Sequence, residues 1–175
     1  RQPLMPIVSF NGKSPRLGRG VFIASTAYVI GDVDVGDEVS LWPYAVVRGD
    51  EDHISIGRFS NLQDHAVVHT DRGIETVIGE GVTVGHRAII HGARVGNYVL
   101  IGMGAILLNN SEVGEYSIIG AGAVVTEGTR IPPRSIAVGV PARVIRSVTD
   151  DDVKRIIENY KAYLELAKAY GNGSL

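Results

Sequence analysis

The chain has 175 residues, a net charge of −2, 22 glycines and no cysteine. This length indicates one domain with a sizeable core, and the charge excludes a nucleic-acid binder that works by bulk attraction. The absence of cysteine excludes disulfides and thiolate metal sites and is typical of a reducing compartment, so we expect a cytoplasmic protein. No apolar run approaches the length of a membrane helix, and we expect no membrane contact.

Residues 1–16 form a predicted N-terminal segment, and a six-residue period begins at residue 17. A large aliphatic residue starts each repeat, and Ala, Ser, Thr or Val stands four positions later. An α-helix has no such period, and Ile plus Val (41) outnumber Leu (10), which favours strands. The regular starting positions are Leu17, Ile23, Val29, Val35, Leu41, Ile56, Leu62, Ile78, Val84, Val95, Ile101, Leu107, Val113, Ile119, Val125 and Ile131.

This register predicts an all-β fold, a parallel β-helix of hexapeptide repeats over residues 17–146. Three hexads make one triangular coil, so the segment spans about seven coils. In each short strand the large aliphatic residue fills the core and the small residue fits a tight corner.

A helix closes the predicted fold, and residues 147–175 are assigned to this C-terminal α-helix and a frayed tail. Thr149 and Asp152 have the spacing of a capping box, and an apolar stripe follows at helical spacing. Gly171 is suited to end the helix.

The repeat is interrupted on one face of the prism. The irregular hexads are each the third of their coil, and they start at Val47, Val68 and Ile90. The residues that follow these starts occupy one stacked position and are Arg48, His69 and His91. Loops concentrate on functional surfaces, so this face is the predicted site.

The histidine spacing predicts a metal site shared between chains. His69 and His91 are 22 residues apart, one coil of 18 plus a four-residue loop excess, which stacks them on adjacent rungs and points them outward. His86 lies on the neighbouring face and reaches the other two only across a cyclic contact between copies. A lone surface histidine is usually just exposed, and we interpret His53 and His65 as structural or peripheral.

Other polar residues cluster in the same coils. A second wall of the prism carries His86 together with Asn61, Gln63 and Asp64. Asp64 occupies the same position in its hexad as His86 does one coil later. Arg48 and Asp50 open the first irregular loop, and on spacing alone a solvated ion pair is an equal interpretation.

Together these residues resemble the γ-class carbonic anhydrases, whose fold is the left-handed β-helix of hexapeptide-repeat proteins. The handedness is implied by the resemblance, which covers nearly the whole chain. The repeat itself is shared with acyltransferases and does not discriminate. The discriminating combination is Arg48-Gly49-Asp50, Asn61-Leu62-Gln63-Asp64, His69, His86 and His91.

The resemblance implies a homotrimer with three metal sites at its interfaces. His69 and His91 of one chain and His86 of the next would hold Zn²⁺, and Fe²⁺ or Co²⁺ would suit the same ligands. Arg48 and Asp50 would form an ion pair that orders the interface.

The implied reaction is the reversible hydration of CO₂ to bicarbonate by a metal-bound hydroxide. Gln63 would hydrogen-bond that hydroxide, and Asn61 and Asp64 would support the site, with an interfacial network as the alternative for Asp64. Tyr160 on the closing helix would approach the metal pocket, with nearby Tyr163 as the competing tyrosine.

One departure from the family keeps other functions open. Founding members carry an acidic loop after the first histidine ligand, with a Glu that exports the proton, whereas residues 70–75 here are short. Asp71, Glu75 and Glu51 are the substitutes, and Glu51 joins the predicted catalytic set. The alternatives are a metal-dependent thioesterase or hydrolase, a catalytically silent trimeric scaffold, and a metal-free acyltransferase.

Overall fold

The chain folds into two β-sheets wrapped around one core, followed by a helix. The computed structural model describes residues 6–171, so parts of the predicted N-terminal segment (1–5) and tail (172–175) lie outside the described residues. The sheets contain twelve and eight strands and form a parallel β-helix of about seven turns. The predicted fold class is therefore confirmed.

Most strands are two or three residues long, as short repeats between corners require. In chain order the strands are β1 (Ile7–Val8), β2 (Arg16–Leu17), β3 (Phe22–Ile23), β4 (Tyr28–Val35), β5 (Ser40–Leu41), β6 (Val46–Ile56), β7 (Asn61–Leu62), β8 (Val67–His69), β9 (Thr76–Ile78), β10 (Thr83–Val84), β11 (Ile89–His91), β12 (Arg94–Val95), β13 (Leu100–Ile101), β14 (Ile106–Leu107), β15 (Glu112–Val113), β16 (Ile118–Ile119), β17 (Val124–Val125), β18 (Arg130–Ile131), β19 (Ser135–Val138) and β20 (Arg143–Ser147).

The pairing order describes the faces of a prism. The eight-stranded sheet runs β20-β19-β16-β13-β10-β7-β5-β3, with only its β19–β20 pair antiparallel. The twelve-stranded sheet covers the other two faces, because the long strand β6 pairs with β8 through its first residues and with β9 through its last. On one of these faces β6, β8, β11, β14 and β17 lie side by side.

The core follows the six-residue register. From Val29 to Ile131, the large aliphatic residue that starts each hexad is at most 4% exposed. Leu17 is 39% exposed because it lies at the end of the prism, where β2 pairs only with β4. Burying an aliphatic side chain of this size contributes about 1.5–3 kcal/mol, so each regular hexad adds to the stability of the fold.

One corner of the prism carries aromatic residues in left-handed backbone conformation. Tyr98, Tyr116 and Arg134 are spaced by one turn and have φ between 55° and 57°. Tyr98 stacks on Tyr116 with centroids 5.1 Å apart, and the Arg134 guanidinium lies 4.9 Å from the Tyr116 ring. These contacts offset the cost of positive φ in bulky residues.

Helix α1 (Asp150–Tyr170) packs on the eight-stranded sheet, contacting β5 and β10. Thr149 caps it, and the capping box with Asp152 is present as predicted. Ile156 is 1% exposed and packs with Ile118 and Ile136. Within residues 6–171, no helix has both the length and the apolar character needed to cross a membrane.

Candidate metal centre

The site begins with two stacked histidines on adjacent rungs. His69 ends β8 and His91 ends β11, and the two are direct partners in the parallel register of these strands. His69 Nδ1 lies 3.2 Å from His91 Nε2, and both rings are partly exposed. The loop between the rungs absorbs the extra residues, so the structure brings this pair together as the spacing predicts.

An acidic residue on the preceding rung contacts the outer nitrogen of the first histidine. Asp50 Oδ1 lies 2.9 Å from His69 Nε2, while Arg48 Nη1 donates to Asp50 Oδ2 at 2.7 Å. Burial raises the pKa of the Asp50 carboxyl, but the hydrogen bonds from Arg48 and His69 outweigh it and hold the pKa below its ordinary value. The predicted pair of Arg48 and Asp50 thus forms within the chain and adjoins His69.

The second histidine has an amide partner that the sequence reasoning missed. Asn109 Oδ1 lies 2.7 Å from His91 Nδ1, and Asn109 Nδ2 donates to Asp71 Oδ2 at 2.7 Å. Asp71 stands in the short loop after β8, and its Oδ1 is 3.8 Å from His91 Nε2. The available signal was spacing, because Asn109 follows His91 by 18 residues, one regular turn.

The other predicted site residues lie together on a different wall. Asp64 Oδ1 is 3.0 Å from His86 Nδ1, and both side chains are almost half exposed. Gln63 is buried and donates from Nε2 to Asn61 Oδ1 at 3.2 Å, and Asn61 Nδ2 donates to Thr83 Oγ1. The single chain therefore builds two separate half-sites, one around His69 and His91 and one around His86.

Neither half-site is a complete metal site by itself. Within the described range 6–171, no three His, Asp or Glu side chains of one chain converge in a way that could hold a metal ion. The spacing of the paired imidazoles nevertheless suits two ligands of one metal ion. Two nitrogens bound to zinc at about 2.0–2.1 Å in tetrahedral geometry lie about 3.3–3.4 Å apart, close to the distance between His69 and His91.

The two candidate tyrosines of α1, Tyr160 and Tyr163, pack in different surroundings. The Tyr160 ring packs against Tyr98, with centroids 5.7 Å apart, in the aromatic corner. Tyr163 packs edge-on against Trp42, and burial, with a smaller effect of the Asp64 charge, raises the pKa of its hydroxyl.

The remaining candidates lie at the edges of the site. Glu51 is exposed and its carboxylate is 3.8 Å from Arg72 Nε. His53 lies between two carboxylates of β4, and His65 stacks on Tyr44 with ring centroids 5.1 Å apart.

Comparison with known proteins identifies the repeat and the family. Residues 92–127 match the family model described as Bacterial transferase hexapeptide (six repeats). The chain is 49% identical to the Probable carbonic anhydrase of Methanocaldococcus jannaschii over 152 residues, which cover 87% of this chain and 96% of that protein. It is 39% identical to Gamma carbonic anhydrase 2, mitochondrial, of Arabidopsis thaliana, over 91% of this chain and 60% of that protein.

Among solved structures, a hexapeptide transferase family protein of Anaplasma phagocytophilum superimposes with a TM-score of 0.90. The two chains are 36% identical, and the match covers 94% of this chain and 97% of the other. The identity and coverage of the Methanocaldococcus relative are sufficient to establish family membership. The chain belongs to the γ-class carbonic anhydrase family, as the resemblance of its histidine, Arg-Gly-Asp and Asn-x-Gln-Asp elements predicted.

Proposed function

We propose that this protein catalyses the reversible hydration of CO₂ to bicarbonate, using zinc held between the chains of a homotrimer. The observation that carries the proposal is the pair of imidazole nitrogens that face each other at 3.2 Å on adjacent rungs. Family membership gives this pair its chemical meaning, because relatives of this chain are named carbonic anhydrases.

The two walls of the prism support a site that is divided between copies. His69 and His91 would contribute two ligands from one chain, and His86 would contribute the third from its neighbour. The His86 side chain is 44% exposed, so its imidazole is accessible to a second copy. A contact between two different faces of identical chains is heterologous, and it closes into a ring when the rotation between copies is 120°.

The metal would supply the Lewis acidity of the reaction. Held by three neutral imidazoles, zinc would keep one position for water and would lower the pKa of that water to about 7, the value known for carbonic anhydrases. Iron or cobalt would suit the same nitrogen ligands.

The residues of the chain would position the reacting groups around that metal. Asp64 Oδ1 lies 3.0 Å from His86 Nδ1 and would orient this ring. Asn61 Oδ1 accepts from the Gln63 amide nitrogen, so the Gln63 carbonyl oxygen would be free to accept a hydrogen bond from the attacking water. Glu51, one residue after Asp50, would accept the proton that each turnover releases.

Stopped-flow CO₂ hydration on protein of measured metal content tests the proposal. We expect activity with one metal per chain, and a fall in kcat/KM by about 100-fold or more in His91→Ala, because the zinc loses a ligand. His65→Asn is the matched control, since this histidine stacks on Tyr44 outside the half-sites and Asn tolerates its left-handed φ of 62°.

Two outcomes would contradict the proposal in different ways. One metal per chain without hydration above the His91→Ala level would favour a related hydrolase, such as a thioesterase, or a silent trimeric scaffold. Protein that binds no metal after anaerobic or zinc-supplemented purification would contradict all of these metal-dependent functions.

A further inference from the structure

Asn109 bridges the second histidine and an acidic loop residue. Its carbonyl oxygen is 2.7 Å from His91 Nδ1, and its amide nitrogen is 2.7 Å from Asp71 Oδ2. It stands just after β14, one turn beyond His91, while Asp71 comes from the loop that follows β8. Three successive turns of the β-helix therefore contribute to one chain of hydrogen bonds.

The carboxylate at the end of this chain determines which way the amide points. An ionised carboxylate accepts hydrogen bonds and donates none, so Asn109 must present its NH₂ group to Asp71. Its oxygen then faces His91, and an oxygen acceptor requires a hydrogen on His91 Nδ1. The lone pair of His91 consequently resides on Nε2, the nitrogen that faces His69.

The same logic applies from the opposite end. Arg48 only donates, so Asp50 is an acceptor on both sides and takes the hydrogen of His69 Nε2. His69 Nδ1 then carries a lone pair directed toward His91. Two lone pairs that face each other at 3.2 Å repel, and a cation between them satisfies both.

The backbone beside the second histidine leaves room for the amide. Gly92 has φ of +61°, and a Cβ built on it would collide with Asn109 Oδ1. A side chain at position 92 would therefore displace the amide from His91. The absence of a side chain at Gly92 is therefore what allows Asn109 to reach His91.

We infer that Asn109 is a positioning residue that, held by Asp71, keeps His91 in the tautomer with Nε2 available for the metal. This assignment rests on the proposed function for its metal, but the tautomer itself exists without metal. It also gives Asp71 a structural task, which differs from the proton export considered from the sequence. Partners of this kind alter metal affinity by about 10–100-fold in known sites.

The first test requires no metal. Two-bond ¹H–¹⁵N correlation spectra of the metal-free protein at pH 8 report which nitrogen of each imidazole carries the hydrogen, and His91→Gln identifies the His91 signals. We expect the Nδ1–H form of His91 in the wild type and its loss in Asn109→Leu. A wild-type His91 in the Nε2–H form would overturn the assignment whatever the protein's activity.

The second test measures Zn²⁺ affinity by competition with a chelator. We expect Asn109→Leu to weaken binding about 10–100-fold. The double variant Asn109→Asp with Asp71→Asn exchanges the amide and the carboxylate, keeps an acceptor toward His91, and should restore affinity to within about threefold of the wild type. Asn97→Leu is the matched control, since Asn97 accepts from the Glu80 backbone on another face.

The outcomes separate this inference from the function on which it rests. Wild-type affinity in Asn109→Leu, or no recovery in the double variant, would overturn the assignment while leaving a metal-dependent activity intact. A wild type that binds no Zn²⁺ would overturn both. Circular dichroism of each variant checks that the β-helix is retained.

Discussion

At the residue scale, Asp32 shows how the N-terminal segment is tied to the prism. Its carboxylate accepts from Arg16 Nη2 at 2.8 Å and lies 3.1 Å from His53 Nδ1 and 3.4 Å from Lys13 Nζ. The hydrogen bond from Arg16 outweighs the opposing effect of burial and, with His53, lowers the pKa of Asp32 to about 2. The cluster therefore contains an acid that remains charged well below its ordinary range.

This shift predicts the acid dependence of stability. Because the folded pKa lies below the ordinary value of 3.8, the Asp32 carboxylate stabilises the fold above that pH, and this is lost as pH falls toward about 2. We expect Asp32→Asn to remove at most about 2 kcal/mol of unfolding free energy at pH 7 and to flatten its decline below pH 4. Urea unfolding from pH 2 to 7 measures this.

Asp37→Asn is the control for that measurement. Asp37 lies 3.8 Å from an Arg19 side chain that is 95% exposed, and such exposed pairs contribute little. An equal loss of unfolding free energy in both variants would show that net charge, and not the Asp32 cluster, determines how stability falls at acid pH.

At the element scale, α1 depends on one deeply buried contact. Ile156 packs with Ile118 of β16 and Ile136 of β19. The charged Asp152 at the start of the helix is also held in place. The hydrogen bond from Arg146, followed by the one from the Thr149 backbone, keeps its pKa well below the usual range. The helix is thus attached to the eight-stranded sheet by an apolar anchor and an ionic cap.

Truncation of the anchor should destabilise the fold. We expect Ile156→Ala to cost about 2–5 kcal/mol, through lost burial plus the cavity that remains. Leu166 lies on the same helix and is 43% exposed, so Leu166→Ala should change stability by less than about 0.5 kcal/mol. Thermal or urea unfolding compares the two variants, and similar losses would show that α1 is not anchored at Ile156.

At the scale of the whole molecule, the prism presents its half-sites on separate walls. His69 and His91 lie on the face of β8 and β11, whereas His86 follows β10 of the eight-stranded sheet. The proposed homotrimer joins these walls and places Arg48 and Asp50 near the contact between copies.

Assembly and metal binding should therefore depend on each other. We expect Asp50→Ala to weaken the trimer at least about 10-fold, because it leaves Arg48 and His69 without their acidic partner. Removal of metal with a chelator should weaken the wild-type trimer in the same direction. Sedimentation velocity over a range of concentrations measures both effects.

The control for assembly lies on the remaining face of the prism. Glu112 pairs with an exposed Arg130 at 3.6 Å, and Glu112→Ala should leave the trimer intact. An unchanged trimer in Asp50→Ala would remove the interfacial role of this residue. A monomeric wild type would contradict the divided metal site.

The β-helix was predictable because its physical cause is local and repeated. Each hexad places one aliphatic residue inward, so the sequence alone shows the register. The capping box of Thr149 is likewise a contact between near neighbours in the chain. The stacking of His69 on His91 followed from the same register, since the sequence shows how many residues the loop adds to the regular turn.

The sequence by itself determined the repeat, the prism and the alignment of two histidines. Only the tertiary structure decided which side chains complete their surroundings. Asp71 reaches Asn109 because of the path of the loop after β8, and Tyr163 packs on Trp42 because of how α1 docks. Periodicity specifies the direction of a side chain, whereas these contacts depend on distances between segments that no local pattern encodes.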